Sequence, residues 1–130
     1  MDEGIQVHHQ LASAQYDIDS AFALVEEFRF GYSMSLCGAC LEKLFNALWI
    51  RSFGDYPPYG VPLLYLAKKL DLPLKEKQVK LLAAFSLFEV HPEDAGRWKA
   101  LRRAIDKKYV EKHLVKAEEF IEWVKPRLKK

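Results

Sequence analysis

One stretch, Gly38–Ile50 (GACLEKLFNALWI), restricts the fold more than any other. Wound on a helix at about 100° per residue, its apolar side chains nearly encircle the axis. Leu36, Ala47, Cys40, Leu44, Leu48, Leu41 and Phe45 fill one continuous half-turn, leaving a narrow polar strip of Glu42, Asn46 and Lys43. A surface helix carries an apolar stripe of roughly 100°, whereas a helix that is apolar almost all round is buried. The small residues Cys37, Gly38, Ala39 and Cys40 would also let a neighbouring helix come close. The stretch therefore predicts a central helix that needs walls on most sides, with a second copy of the chain expected to supply some of them.

The remaining segments read as those walls. Ala14–Phe28 is amphipathic, with Ala14, Ile18, Ala21, Val25 and Phe28 on one face. Asp17 falls inside that apolar arc, an unusual place for a carboxylate. Gly31 predicts the stop, and the second helix then runs from about Ser33 to Arg51. Ser52–Val61 holds two glycines and a Pro-Pro pair and reads as a loop. Pro62 suits the first turn of a short third helix with Leu63, Leu64, Leu66, Ala67 and Leu70 inward, ended by Asp71-Leu72-Pro73. Lys75–Val90 predicts a fourth helix closed by Pro92, while Glu93–Ile105 shows no clear pattern. The last helix, Asp106–Lys125, places Tyr109, Val110, His113, Leu114, Ala117, Phe120, Ile121 and Val124 on one face and ends at Pro126. Nothing alternates with period two. The fold class is therefore all-α, an antiparallel four-helix bundle with one extra short helix, expected as a single domain over residues 1–130.

Composition fits that reading and excludes several others. A domain of 130 residues buries roughly two-thirds of its unfolded surface. Half the residues are hydrophobic and 29 % are charged, which describes a globule rather than a disordered chain. A net charge of +2 is too small to name a nucleic-acid partner by itself. The longest apolar run is far short of the ~20 residues a membrane helix needs, so no membrane partner is expected. A polar N-terminus, MDEGIQVHHQ, shows no signal-peptide pattern, and with only two cysteines the expected location is the cytoplasm.

With the helices placed, the chain resembles the HEPN domain family (the higher eukaryote and prokaryote nucleotide-binding domain). The match begins with Ala14, Asp17, Ile18 and Ala21 in the first helix and continues with Cys40, Glu42, Lys43, Ala47 and Leu48 in the second. It runs on through the loop prolines Pro57 and Pro58, a leucine-rich short helix, and a last helix carrying Ala117 and Glu118 and closing on Trp123 and Val124. The resemblance implies a helical bundle, usually a homodimer. Where many members have a histidine after the Pro-Pro loop, this chain has Val61; where many have Arg-Tyr-Pro near the end of the fourth helix, it has Val90-His91-Pro92. The ribonuclease branch uses an arginine followed four to six residues later by a histidine. No such spacing exists here, the nearest arginine before His113 being Arg103. What the resemblance then implies is the non-catalytic side of the family, with a minimal nucleotidyltransferase as partner in a toxin–antitoxin-like system, a possible nucleotide or RNA contact, and no cofactor.

The residues themselves offer four candidate sites. Asp17, Lys43 and His113 lie on inward faces of three helices and could meet if their heights agree. A carboxylate orienting an imidazole beside a cation could hold a phosphate or move a proton; the plainer outcome is a buried ion pair and a hydrogen-bonded histidine. His91, ahead of Pro92, and the cluster Arg97, Arg102 and Arg103 could contact a nucleotide phosphate, or be a solvated loop. Cys37 and Cys40 have the C-x-x-C spacing of a redox pair or half a zinc site, but with no second pair they read as small core side chains. His8 and His9 sit in a polar segment with no evident task, and Lys125, Lys129 and Lys130 favour a helix C-terminus. The alternative function is a metal-independent ribonuclease using His113 or His91 with a nearby arginine.

Overall fold

Asp2 starts the first helix by accepting the Ile5 backbone N–H on its carboxylate at 3.1 Å, so α1 runs Glu3–Glu26 and begins well before Ala14. The computed structural model describes residues 2–86 and 103–129. After α1 come α2 (Phe30–Phe53), α3 (Leu63–Lys69), α4 (Glu76–Ser86) and α5 (Lys107–Val124), and among the described residues there is no strand. The sequence pattern for α4 extends to Val90; residues 87–90 and most of 93–105 lie outside the described residues.

The stop between α1 and α2 differs from the expected one. Phe28, not Gly31, takes the left-handed conformation, with φ 59°. Around it the Arg29 N–H reaches back to the Leu24 carbonyl at 2.9 Å and the Phe28 N–H to Val25 at 3.0 Å. This is the Schellman closure that a glycine ordinarily makes. Gly31 lies instead in the first turn of α2. The same closure ends α3 at Asp71, φ 53°, with Leu72 N–H donating to the Ala67 carbonyl. At the other end of α2 a true glycine, Gly54, holds φ 76°. Beyond α5, Pro126 does not end helical structure at once, because Lys125–Leu128 continue as a 3-10 turn.

Cross-helix contacts give the direction of each element. Ser33 meets Ala21, Lys43 meets Asp17 and Asn46 meets Gln10, so α1 and α2 are antiparallel. Phe85 meets His113 and Lys77 meets Glu119, so α4 and α5 are antiparallel as well. Cys37, Phe45 and Arg51 meet His113, Phe120 and Leu128 in that order, so α2 and α5 run the same way. The sense alternates along the four long helices, as an up-down-up-down bundle requires.

The apolar rod lies in the middle. Ten residues of α2 are buried, among them Met34, Cys37, Cys40, Leu41, Leu44, Phe45 and Ile50. Facing them are Ala14, Ile18 and Ala21 of α1 and Val110, Leu114, Ala117, Phe120 and Ile121 of α5, all at most 1 % exposed. Phe45 stacks over Phe120 with ring centroids 6.0 Å apart. Leu36 and Trp49 remain half-buried. One chain thus supplies most of the walls for its own central helix.

Two of the three left-handed stops make a testable contrast. Alanine at Gly54 would carry a Cβ in a conformation that disfavours it, so Gly54→Ala should lower stability by about 1–2 kcal/mol. Phe28→Gly relieves that conflict at an exposed position and should cost less, or nothing. Urea unfolding followed by circular dichroism measures both; the reverse order would contradict these backbone assignments.

Candidate functional site

Helical phase places Asp17 against α2, and the structure closes it there on Lys43. Lys43 Nζ donates to Asp17 Oδ2 at 2.6 Å, with the carboxylate side chain 9 % exposed and the lysine 31 %. A charge-assisted bond so shaded from water is what allows a carboxylate inside the arc. The pair belongs to a longer polar seam between α1 and α2. Asn46 Nδ2 donates to Gln10 Oε1 at 3.2 Å, and the Tyr56 hydroxyl donates to Gln6 Oε1 at 2.8 Å. Ser33 Oγ donates to the Ala21 carbonyl at 2.7 Å. Reading α1 only from Ala14 hides Gln6 and Gln10, although they lie about three and two helical turns back from Asp17, on this same seam.

His113 stands apart from that pair. Its Nδ1 lies 2.8 Å from the Tyr109 carbonyl one turn earlier, so that nitrogen carries a proton and donates it. The Tyr109 ring lies tilted over the imidazole at 4.3 Å, and Phe85 meets it edge-on at 6.2 Å. Burial pushes the His113 pKa down from its ordinary 6.5, the Tyr109 carbonyl pulls it back up, and Lys116 and Lys112 push it down again. Among the described residues the charges acting on it are Lys116 and Lys112 of its own helix, with neither Asp17 nor Lys43 among them. Phase correctly turned all three side chains inward, but two meet and the third is held in an aromatic cage. The plainer of the two outcomes is the one the geometry shows.

The other candidates fall as follows. Arg103 is exposed, while His91, Arg97 and Arg102 lie outside the described residues. His8 and His9 are exposed on α1. Cys37 and Cys40 are free and buried in α2. Desolvation raises both thiols, Cys40 to about 12 with the Asp17 carboxylate adding to the rise, so neither offers a thiolate. Among the described residues no three His, Cys, Asp or Glu side chains gather as a metal site would need. No described helix is long and apolar enough to cross a membrane.

The HEPN domain model matches residues 7–127 of the sequence. The chain belongs to the HEPN domain family. That family is associated with nucleotide or RNA binding and with ribonuclease activity, and the all-α bundle described above is its kind of fold. Neither the curated proteins nor the solved structures include a significant match. Among the described residues of this HEPN domain no arginine pairs with His113.

Two measurements check this geometry. Lys43→Met strands a buried carboxylate and should cost about 3–5 kcal/mol. Asp17→Asn leaves a lysine that can still reach water, and should cost about 1–3 kcal/mol. Equal losses would contradict the unequal burial. For His113 the depressed pKa fixes the sign: below its ordinary 6.5 the unfolded chain takes up a proton that the folded chain resists. Its stabilising share is therefore present above pH 6.5 and is lost as the pH falls below it. In urea titrations, His113→Gln should flatten the decline in stability below that pH.

Proposed function

We propose that this HEPN domain is a non-catalytic, nucleotide- or RNA-contacting interaction module, acting as a homodimer with a minimal nucleotidyltransferase partner in a toxin–antitoxin-like system. One observation carries the non-catalytic reading: no histidine in the sequence follows an arginine by four to six residues. The state of His113 supports it. Its Nδ1 donates to the Tyr109 carbonyl beneath the Tyr109 ring, and no described arginine stands beside it as the ribonuclease branch would require.

The homodimer reading is supported by what α2 leaves uncovered. Leu36 and Trp49 are only half-buried, and Gly38 and Ala39 of α2 line a hollow of about 270 Å³ together with Leu63 and Leu64 of α3. Burying such a surface in a second copy is favourable at about 25 cal/mol per Å² removed from water. The nucleotidyltransferase and the toxin–antitoxin setting rest on the family resemblance alone, and a coding neighbour is where they are checked.

A single preparation tests the central reading. Fluorescein-labelled single-stranded RNA or ATP should bind the purified chain, as read by anisotropy or calorimetry, and the RNA should stay intact on a denaturing gel. Sedimentation at micromolar concentration should give twice the chain mass. RNA cleavage that disappears in a folded His113→Ala variant would replace this reading with the ribonuclease alternative, and a 15.1 kDa species alone would remove the homodimer.

A further inference from the structure

We propose that His113 is a proton-operated latch on α4: neutral, it holds Phe85 against the bundle, and protonated, it lets the Phe85 end of α4 come away from α2 and α5. No ligand is needed for this. The Phe85 ring touches both of the other helices. It meets the His113 imidazole with ring centroids 6.2 Å apart and planes at 82°. It also lies so close to α2 that a Cβ built on Gly38 would come within 3.2 Å of its Cδ1. Phe85 and His113 are each 8 % exposed, so this junction of three helices is largely shut off from water.

A charge on the imidazole is costly there. Nδ1 already donates to the Tyr109 carbonyl, so an added proton would go to Nε2. The surrounding groups do not welcome it. On α5, Lys112 and Lys116 oppose a second cation, and the Tyr109 phenol is held neutral, its pKa raised by burial. On α2, Cys37 is a buried thiol whose pKa is pushed far up, so it supplies no negative charge. On α4, Phe85 brings no charge at all. Among the described residues acting on His113 there is no carboxylate to pair with an imidazolium. The Tyr109 carbonyl favours the cation, but burial outweighs it. Opening the junction to water removes that penalty.

The wall that opening moves is α4, because it is the least anchored. Among the described residues it buries three apolar side chains, Leu81, Leu82 and Phe85, where α5 buries six between Val110 and Val124. Its ion pair to α5, Lys77 with Glu119 at 3.7 Å, has both side chains more than half exposed and holds weakly. α5 is tied to α2 without help from the imidazole. Phe45 stacks on Phe120, the Cys37 thiol meets the His113 carbonyl at 4.0 Å, and Arg51 donates to the Leu128 carbonyl. Release of Phe85 therefore leaves α1, α2 and α5 packed. It widens the hollow that Phe85 and Leu82 line with Gly38 and Ala39.

Amide hydrogen exchange of the full chain, corrected for the intrinsic rate at each pH, reads the latch helix by helix. Between about pH 7.5 and about pH 5 the protection of the Leu81–Phe85 amides should fall at least about threefold, one proton allowing at most about tenfold per pH unit. Protection in α1, α2 and α5 should hold within about twofold. The chain has four histidines, which separates their contributions. His113→Gln keeps a donor for the Tyr109 carbonyl and cannot ionise, so it should abolish the fall. His91→Gln and His8→Gln/His9→Gln should retain it. In the wild-type chain the His113 ring resonances should titrate over the same pH range in which α4 loses protection, a readout that needs no variant to fold. Constant protection of α4, a loss shared equally by all four long helices, a fall that survives in His113→Gln, or one that disappears in His91→Gln would each overturn the latch.

Discussion

Helix α2 is withdrawn from water along ten of its residues, and the rest of the bundle is arranged to make that possible. Burial of its leucines and Phe45 is the largest favourable contribution available to a chain of this size. It dictates what each neighbour presents. α1 offers Ala14 and Ala21, small enough for two helices to approach closely, and α5 offers Phe120 for Phe45 to stack upon. The alternation of helix direction follows from short connections folding each wall back onto the same rod.

Polar chemistry is fitted around this requirement. Where α1 must cross the polar strip of α2, Asp17 takes Lys43 and Gln10 takes Asn46, so the strip is covered without leaving a charge alone. No fully buried side-chain nitrogen or oxygen among the described residues lacks a partner. Such pairs fix the register of the α1–α2 hairpin, because a shift by one residue would part every donor from its acceptor. His113 obeys the same rule from the other side by donating to its own helix. The inward polar residues Asp17, Lys43, Ser33 and His113 are thus spent on structure.

Much of this was legible in the sequence. The nearly closed apolar circumference of Gly38–Ile50 predicts a central helix, and Asp17 inside an apolar arc predicts a buried charge in need of a partner. Other features were hidden for physical reasons. The first residues of α1 bury only Val7 before Ala14, so the apolar period that marks a helix is faint where Gln6, His8, His9 and Gln10 occupy it. Phe28 stops that helix in a conformation a sequence reader assigns to glycine, which moved the expected break to Gly31. Phase gives the direction of a side chain but not its height, so Asp17, Lys43 and His113 could be turned inward and still not be known to form a pair and a separate cage.

The two cysteines of α2 are built-in reporters on the rod, since both are free and buried where it is most enclosed. The most direct measurement is the rate at which Cys37 and Cys40 react with an aromatic disulfide reagent under native conditions, set against the rate of global unfolding. If α2 is sheathed as described, both thiols react only as fast as the whole bundle opens. Rapid reaction of either thiol while the helices remain folded would show the rod to be open to water, and the account built on its burial would fail.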